Sequence, residues 1–100
     1  MTGDVEGLRP EMITALKTLE GRANVGPFQI TSGLRPNDVG SPHQTGLAVD
    51  IAVWGGIMRR KLVEAALLDG WRRIGVYDRH VHLDMDPHRV QDVLWAGKSR

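Results

Sequence analysis

His80, His82 and Asp84 alternate with Val81, Leu83 and Met85. Only an extended strand places such a series on two faces, because residues two apart share a side in a strand and diverge in a helix. The segment from Leu47 to Val53 repeats the pattern: Leu47, Val49, Ile51 and Val53 form one apolar face, while Asp50 sits on the other between Ala48 and Ala52. Two strands of this kind require a sheet whose apolar side is covered and whose polar side carries carboxylate and imidazole groups.

The remaining elements follow from periodicity and punctuation. Pro10 suits a first helical turn, Met12, Ile13, Leu16 and Leu19 recur at helical spacing, and Gly21 offers a C-terminal stop. Phe28 to Ser32 alternates as a half-buried strand does. Gly33 to Gly46 is a long punctuated loop, expected to be functional or mobile in so small a domain. Gly55-Gly56 precedes a second helix with Met58, Leu62, Ala65, Ala66 and Leu68 on its buried face, ended by Gly70. Ile74 to Tyr77 and Val81 to Met85 read as strands about a turn at Asp78-Arg79. Asp86-Pro87 is a favourable opening for a last helix containing Val90, Val93 and Leu94, with His88 exposed on it. Gly97 to Arg100 reads as a loose tail. The order predicts a single small α+β domain over residues 1–100, mainly an antiparallel sheet with flanking helices.

With 41% hydrophobic residues among 100, the core is real but thin, so a metal could contribute to holding the chain together. The net charge of +1, with no basic stripe interleaved with aromatics, gives no indication of nucleic-acid binding. Arg59-Arg60-Lys61 and Arg72-Arg73 read as solvated helix and strand ends. The absence of cysteine excludes disulfides, thiolate metal sites and a cysteine nucleophile. No segment approaches the length of a membrane span, and Met1 to Pro10 lacks the apolar stretch of a signal peptide, so no membrane insertion is expected. Trp54, Trp71, Trp95 and Tyr77 are expected in the core or in a cleft wall.

His43, Asp50 and His82 are all good zinc ligands, and three protein ligands with a fourth position open is the usual plan of a catalytic zinc site. One zinc per chain is therefore expected. The plainer reading of Asp50 is a structural carboxylate paired with an arginine or a backbone amide. Asp84, two residues beyond His82, suits an acceptor that fixes a ligand imidazole, and is also a rival acid/base. Ser41 could bind substrate or hold its own loop. Arg35 could grip a terminal carboxylate through a two-pronged contact, or stand as an ordinary exposed turn residue.

These residues resemble the zinc D-alanyl-D-alanine carboxypeptidase family, within the wider group that includes lysostaphin-like peptidases and the hedgehog signalling domain. The resemblance rests on Ser-x-His-x-x-Gly-x-Ala-x-Asp at Ser41 to Asp50, on His-x-His at His80 to His82, and on Ser32-Gly33-Leu34-Arg35, and it covers residues 28–86. Leu34 stands where the family often has an aromatic residue. Arg79 stands where several relatives carry an acid three residues before the last ligand, which places the chain nearer the His-x-His subgroup. The resemblance implies an α+β fold with an antiparallel sheet, zinc held by His43, Asp50 and His82, and His80 as acid/base with an ordinary pKa near ~6.5. It implies Arg35 clamping a substrate peptide, and hydrolysis of peptides in bacterial peptidoglycan, by carboxypeptidase or endopeptidase cleavage. The small build suggests a phage or prophage lysis enzyme, or a virion-associated one, made in the cytoplasm and acting on the wall. The rival expectations are a binding module that keeps the zinc fold without turnover, and a structural virion protein whose metal only stabilises the core.

Overall fold

A computed structural model describes residues 1–99. It is an α+β fold in which two helices lie against a six-stranded mixed, mostly antiparallel sheet. The elements are β1 (Thr2–Gly3), α1 (Pro10–Ala23), β2 (Gln29–Ser32), a 3₁₀ turn (Pro42–Thr45), β3 (Ala48–Ala52), α2 (Gly56–Leu68), β4 (Arg73–Val76), β5 (His80–Asp84) and β6 (Val93–Ala96). Across the sheet the order is β1-β2-β3-β5-β4-β6. The pairs β2–β3, β3–β5 and β5–β4 are antiparallel, and the two edge strands, β1 on β2 and β6 on β4, are parallel.

The core lies on one side of this sheet. Met12, Leu16 and Leu19 of α1 and Leu62, Ala65 and Ala66 of α2 pack with Val49, Ile51, Ile74, Val81 and Leu83, all essentially inaccessible. Burying several such side chains, at about 1.5–3 kcal/mol each, is the principal force holding the helices to the strands. The same alternation turns Asp50, His80, His82 and Asp84 to the other side. Register aligns them: Ser32, Asp50, His82, Gly75 and Trp95 are successive partners in one row across five strands. Gly75 is needed in that row, because a Cβ there would lie 2.7 Å from Trp95 Cε2.

The structure departs from the sequence pattern in several places. α1 continues through Gly21 to Ala23, which is buried, and the left-handed residue that ends it is Asn24, with φ 53°. A carbon at Gly21 would meet nothing, so that position imposes no break. The last helix does not form. Asp86 does act as a cap, its Oδ1 accepting from the His88 N–H at 3.0 Å and its Oδ2 facing Arg89 Nε at 3.1 Å, but what it caps is a turn. The β-branched and aromatic run Val93-Leu94-Trp95 then pairs with β4, satisfying a strand edge that a helix would have left open. His88 is exposed on that turn. Arg73 is not a solvated strand end but is buried. Trp54, conversely, is 64% exposed and belongs to neither core nor cleft. The segment after β6 is tied down, with the Gly97 N–H on Val76 O and the Ser99 N–H on Asp78 Oδ1; Arg100 lies outside the described residues. Among the described residues no helix is long and apolar enough to cross a membrane.

Candidate metal centre

Asp50 and His82 are directly paired residues of β3 and β5, and their side chains meet with His82 Nδ1 3.0 Å from Asp50 Oδ1. His43 reaches the same carboxylate from the 3₁₀ turn, with Nε2 3.5 Å from Oδ1. That turn is locally determined. Ser41 is its N-cap, its Oγ accepting from the His43 N–H at 3.2 Å, Pro42 fills the first position, and Gly46 ends it at φ 75°. Gly46 is required twice over, since a Cβ there would lie 2.6 Å from the Gly7 carbonyl. The Arg35 N–H donates to His43 O at 2.9 Å, holding the long loop against the turn.

The outer nitrogens of both imidazoles are committed. His43 Nδ1 lies 2.8 Å from the Gly33 carbonyl, which can only accept, so Nδ1 carries a proton and Nε2 faces inward. His82 Nε2 donates to Asp84 Oδ2 at 2.7 Å, leaving Nδ1 on the inner side. Such outer partners fix ring orientation and raise ligand basicity in metal sites. The three inward atoms of His43, Asp50 and His82 lie within 4.8 Å of one another, a group that could bind a metal ion.

Asp84 is itself held. Its Oδ1 accepts from Arg73 Nε at 2.7 Å and from the Asp86 N–H at 3.1 Å, and Arg73 Nη1 donates to Val90 O at 2.6 Å. Sequence reasoning missed Arg73, because a basic pair at a strand start is usually solvated. The signal that could have found it is register: continuing the β4–β5 pairing places Arg73 opposite Asp84.

Electrostatics follow from this packing. Burial would raise the Asp50 carboxyl, but hydrogen bonds and charge from His43 and His82 hold it well below the usual carboxylate range. Burial would lower His82, but Asp50 and Asp84 on its two nitrogens raise it above the ordinary value of 6.5. His80 goes the other way: burial lowers it, and nearby Asp50 only partly opposes this.

His80 is on the same face, one strand position out, with Nε2 3.9 Å from Asp50 Oδ1. Its ring stacks on Tyr77, centroids 4.3 Å apart and planes at 12°. The Trp95 Nε1–H donates to Tyr77 OH at 3.0 Å, and the Trp95 ring stands 5.4 Å from that of His82. Tyr77 and Trp95 thus wall one side of a cleft of about 300 Å³ that also contains Arg35, Ser41, His43, Asp50, His80, His82 and Arg89. Arg35 is exposed there, its Nε 3.4 Å from Asp38. A larger groove of about 560 Å³, between α1 and the end of α2, reaches this site only through Asp84. It contains none of the three converging ligand residues, so the smaller cleft is the one with chemistry to offer.

Compared with known protein families, characterised proteins and solved structures, the chain gives no match.

Proposed function

We propose that this chain is a zinc-dependent peptidase acting on the peptides of bacterial peptidoglycan. The observation that carries the reading is the convergence of His43 Nε2, Asp50 Oδ1 and His82 Nδ1 while the outer imidazole nitrogens are already bound by Gly33 O and Asp84. Two imidazoles and one carboxylate suit zinc. Tetrahedral bonds of about 2.0–2.2 Å separate neighbouring ligand atoms by roughly 3.4 Å, close to the spacings of Asp50 with each histidine. When bound, zinc polarises a carbonyl and lowers the pKa of a coordinated water to about 7.

The chain's own groups would supply the rest. His80, kept neutral by burial, is available to accept and return a proton at Nε2 on the cleft side. Arg35 would hold a carboxylate of the peptide, a two-pronged contact that restrains substrate orientation. Ser41 shapes the turn that carries His43 and is also among the residues lining the cleft, where it would be available to a peptide. Peptidoglycan stem peptides are the class suggested by the Ser41–Asp50 and His80–His82 motifs, and a wall-lysis role of phage type goes with them.

The test is digestion of purified peptidoglycan with and without chelator, the released fragments being identified by mass spectrometry, beside elemental analysis of the purified protein. Chelator-sensitive release of peptide fragments with about one zinc per chain supports the reading. Intact peptidoglycan after treatment with zinc-loaded protein would return it to a binding or structural module, and bound iron in place of zinc would overturn the metal assignment.

A further inference from the structure

Arg89 lines the same cleft as Arg35. The two arrive from opposite flanks of the sheet, Arg35 just beyond β2 and Arg89 just before β6, with β3, β5 and β4 between them. Register puts both at one end of those strands. Ser32 pairs with Asp50, Ala48 with Asp84 and Arg73 with Val93, so β2 ends and β6 begins toward the Ala48–Asp84 end, whereas His80 pairs with Ala52 at the far end. Arg89 is also held ready. Its Nε donates to Asp86 Oδ2 at 3.1 Å, its carbonyl accepts from Gln91 Nε2 at 2.8 Å, and the next carbonyl, Val90 O, accepts from the buried Arg73 at 2.6 Å. Nη1 and Nη2 of Arg89 have no protein partner among the described residues, and the side chain is 37% exposed. An arginine pinned through Nε keeps both terminal nitrogens for a carboxylate, with part of its rotamer freedom already lost in the free protein. The wall around it is positive. Asp50 is the single carboxylate among the described residues lining the cleft, and it is engaged by His43 and His82, while Arg73 is neutralised by Asp84. Asp38 and Asp86, which hold Arg35 and Arg89, do not line the cleft.

We propose that Arg89 is a substrate-binding residue which, with Arg35, makes the cleft selective for peptides carrying two carboxylates: Arg35 takes the terminal one and Arg89 that of an acidic side chain. The proposal rests on the peptidase reading for its kinetic consequence; the binding of a dicarboxylate stands on the charge of the cleft. Two guanidiniums at one end and His80 at the other give the cleft a direction. The acidic segment lies toward the Asp84 end of β5, and the bond to be cut lies over Asp50 and His82, nearer His80. A cationic side chain in place of the acidic one would be repelled, so the same pair of arginines selects against basic peptides as well as for acidic ones.

Calorimetric titration of the zinc-loaded full chain with three dipeptides tests this: alanyl-aspartate with two carboxylates, alanyl-asparagine with one, and alanyl-asparagine amide with none. Wild type should bind alanyl-aspartate about tenfold tighter than alanyl-asparagine, in the range for one charge-assisted contact at a partly exposed group, and the amide most weakly. In Arg89→Gln the preference for aspartate should fall below about twofold, with alanyl-asparagine bound as in wild type. Arg35→Gln should weaken both acids. No measurable binding of alanyl-aspartate to wild type, or equal affinity for the first two peptides, would overturn the proposal. So would a tenfold preference that persists in Arg89→Gln, the result expected if the second carboxylate simply coordinates the metal. On a longer peptide ending in aspartate, Arg89→Gln should raise KM about tenfold with kcat within about twofold, and a fall in kcat at unchanged KM would count against Arg89 as a binding residue. If wild type cleaves no peptide at all, the peptidase reading fails and the titrations alone decide the role of Arg89. Should circular dichroism show Arg89→Gln to be unfolded, the Arg89 Nε–H resonance of wild type decides. It should shift on adding alanyl-aspartate and stay in place with alanyl-asparagine; the same response to both would overturn the assignment.

Discussion

Arg73 holds His82 at one remove: its Nε donates to one oxygen of Asp84 at 2.7 Å, and the other oxygen of the same carboxylate accepts from His82 Nε2 at 2.7 Å. Asp84 and Arg73 are both buried, so removing the guanidinium would strand a charge inside the protein. Arg73→Met should destabilise the metal-free fold by about 3–5 kcal/mol, the usual cost of breaking a buried pair from one side. Urea unfolding followed by circular dichroism measures this. A midpoint equal to that of wild type would show that Asp84 is satisfied without Arg73.

Asp84→Asn keeps an acceptor near His82 but removes the charge that makes the imidazole a better ligand. Metal affinity should fall about 10–100-fold, whereas His43→Ala and His82→Ala should lose the metal altogether. Competition against a chromophoric chelator separates the two outcomes. Undiminished affinity in Asp84→Asn would place the orienting role elsewhere.

The pH dependence has opposite signs with and without metal. In the metal-free fold His82 has a pKa raised above 6.5, so its contribution to stability is complete below that value and is lost as pH rises through the raised one. Asp50, held low, contributes above 3.8, and that contribution is lost as pH falls through its depressed value. Metal binding needs His82 Nδ1 without its proton, so affinity should weaken by up to about tenfold per unit as pH falls below the raised pKa. Thermal melts from roughly pH 6 to 9, with chelator and with metal, should therefore diverge as pH rises. Parallel curves would mean that His82 does not change its protonation on binding.

His80→Ala should keep its metal and lose about 10²–10⁴-fold in turnover on peptidoglycan peptides. Fragment release at near the wild-type rate would show that the proton role does not belong to His80.

Gly75→Ala tests the wall of the cleft. The added carbon would lie 2.7 Å from Trp95, so the indole or the β4–β6 pairing must shift, at a cost of about 1–3 kcal/mol. A lowered melting temperature with altered Trp95 fluorescence is expected. An unchanged spectrum and melt would show the indole free to move.

What the sequence made legible was whatever a period of two or a local cap encodes. The alternation about Asp50 and about His82 predicted the strands, their two faces and the side chains that converge there, whereas Gly33 to Gly46 was legible only as a long loop and not as the capped turn that carries His43. The α+β class followed from the same elements. Three things were not legible, because they depend on partners distant in sequence. Val93 to Ala96 became a strand only because the edge of β4 was open, which outweighed a sound helix start at Asp86-Pro87. Arg73 looks like any strand-end arginine until register sets it opposite Asp84. The segment to Ser99 has no periodicity of its own, and its order comes from Asp78, Arg79 and His80 across the sheet edge.

The Asp50–His82 pairing ties metal binding to the accuracy of folding. A slip of one residue between β3 and β5 would turn one of these side chains toward the helices and leave the other without its partner. The long connection between them, which includes α2 and β4, closes only when the middle of the sheet assembles. An ion taken up by these residues would therefore register that the central strand pair has found its native alignment. Uptake during refolding would follow sheet completion rather than collapse, making the site a molecular clock for the last non-local step.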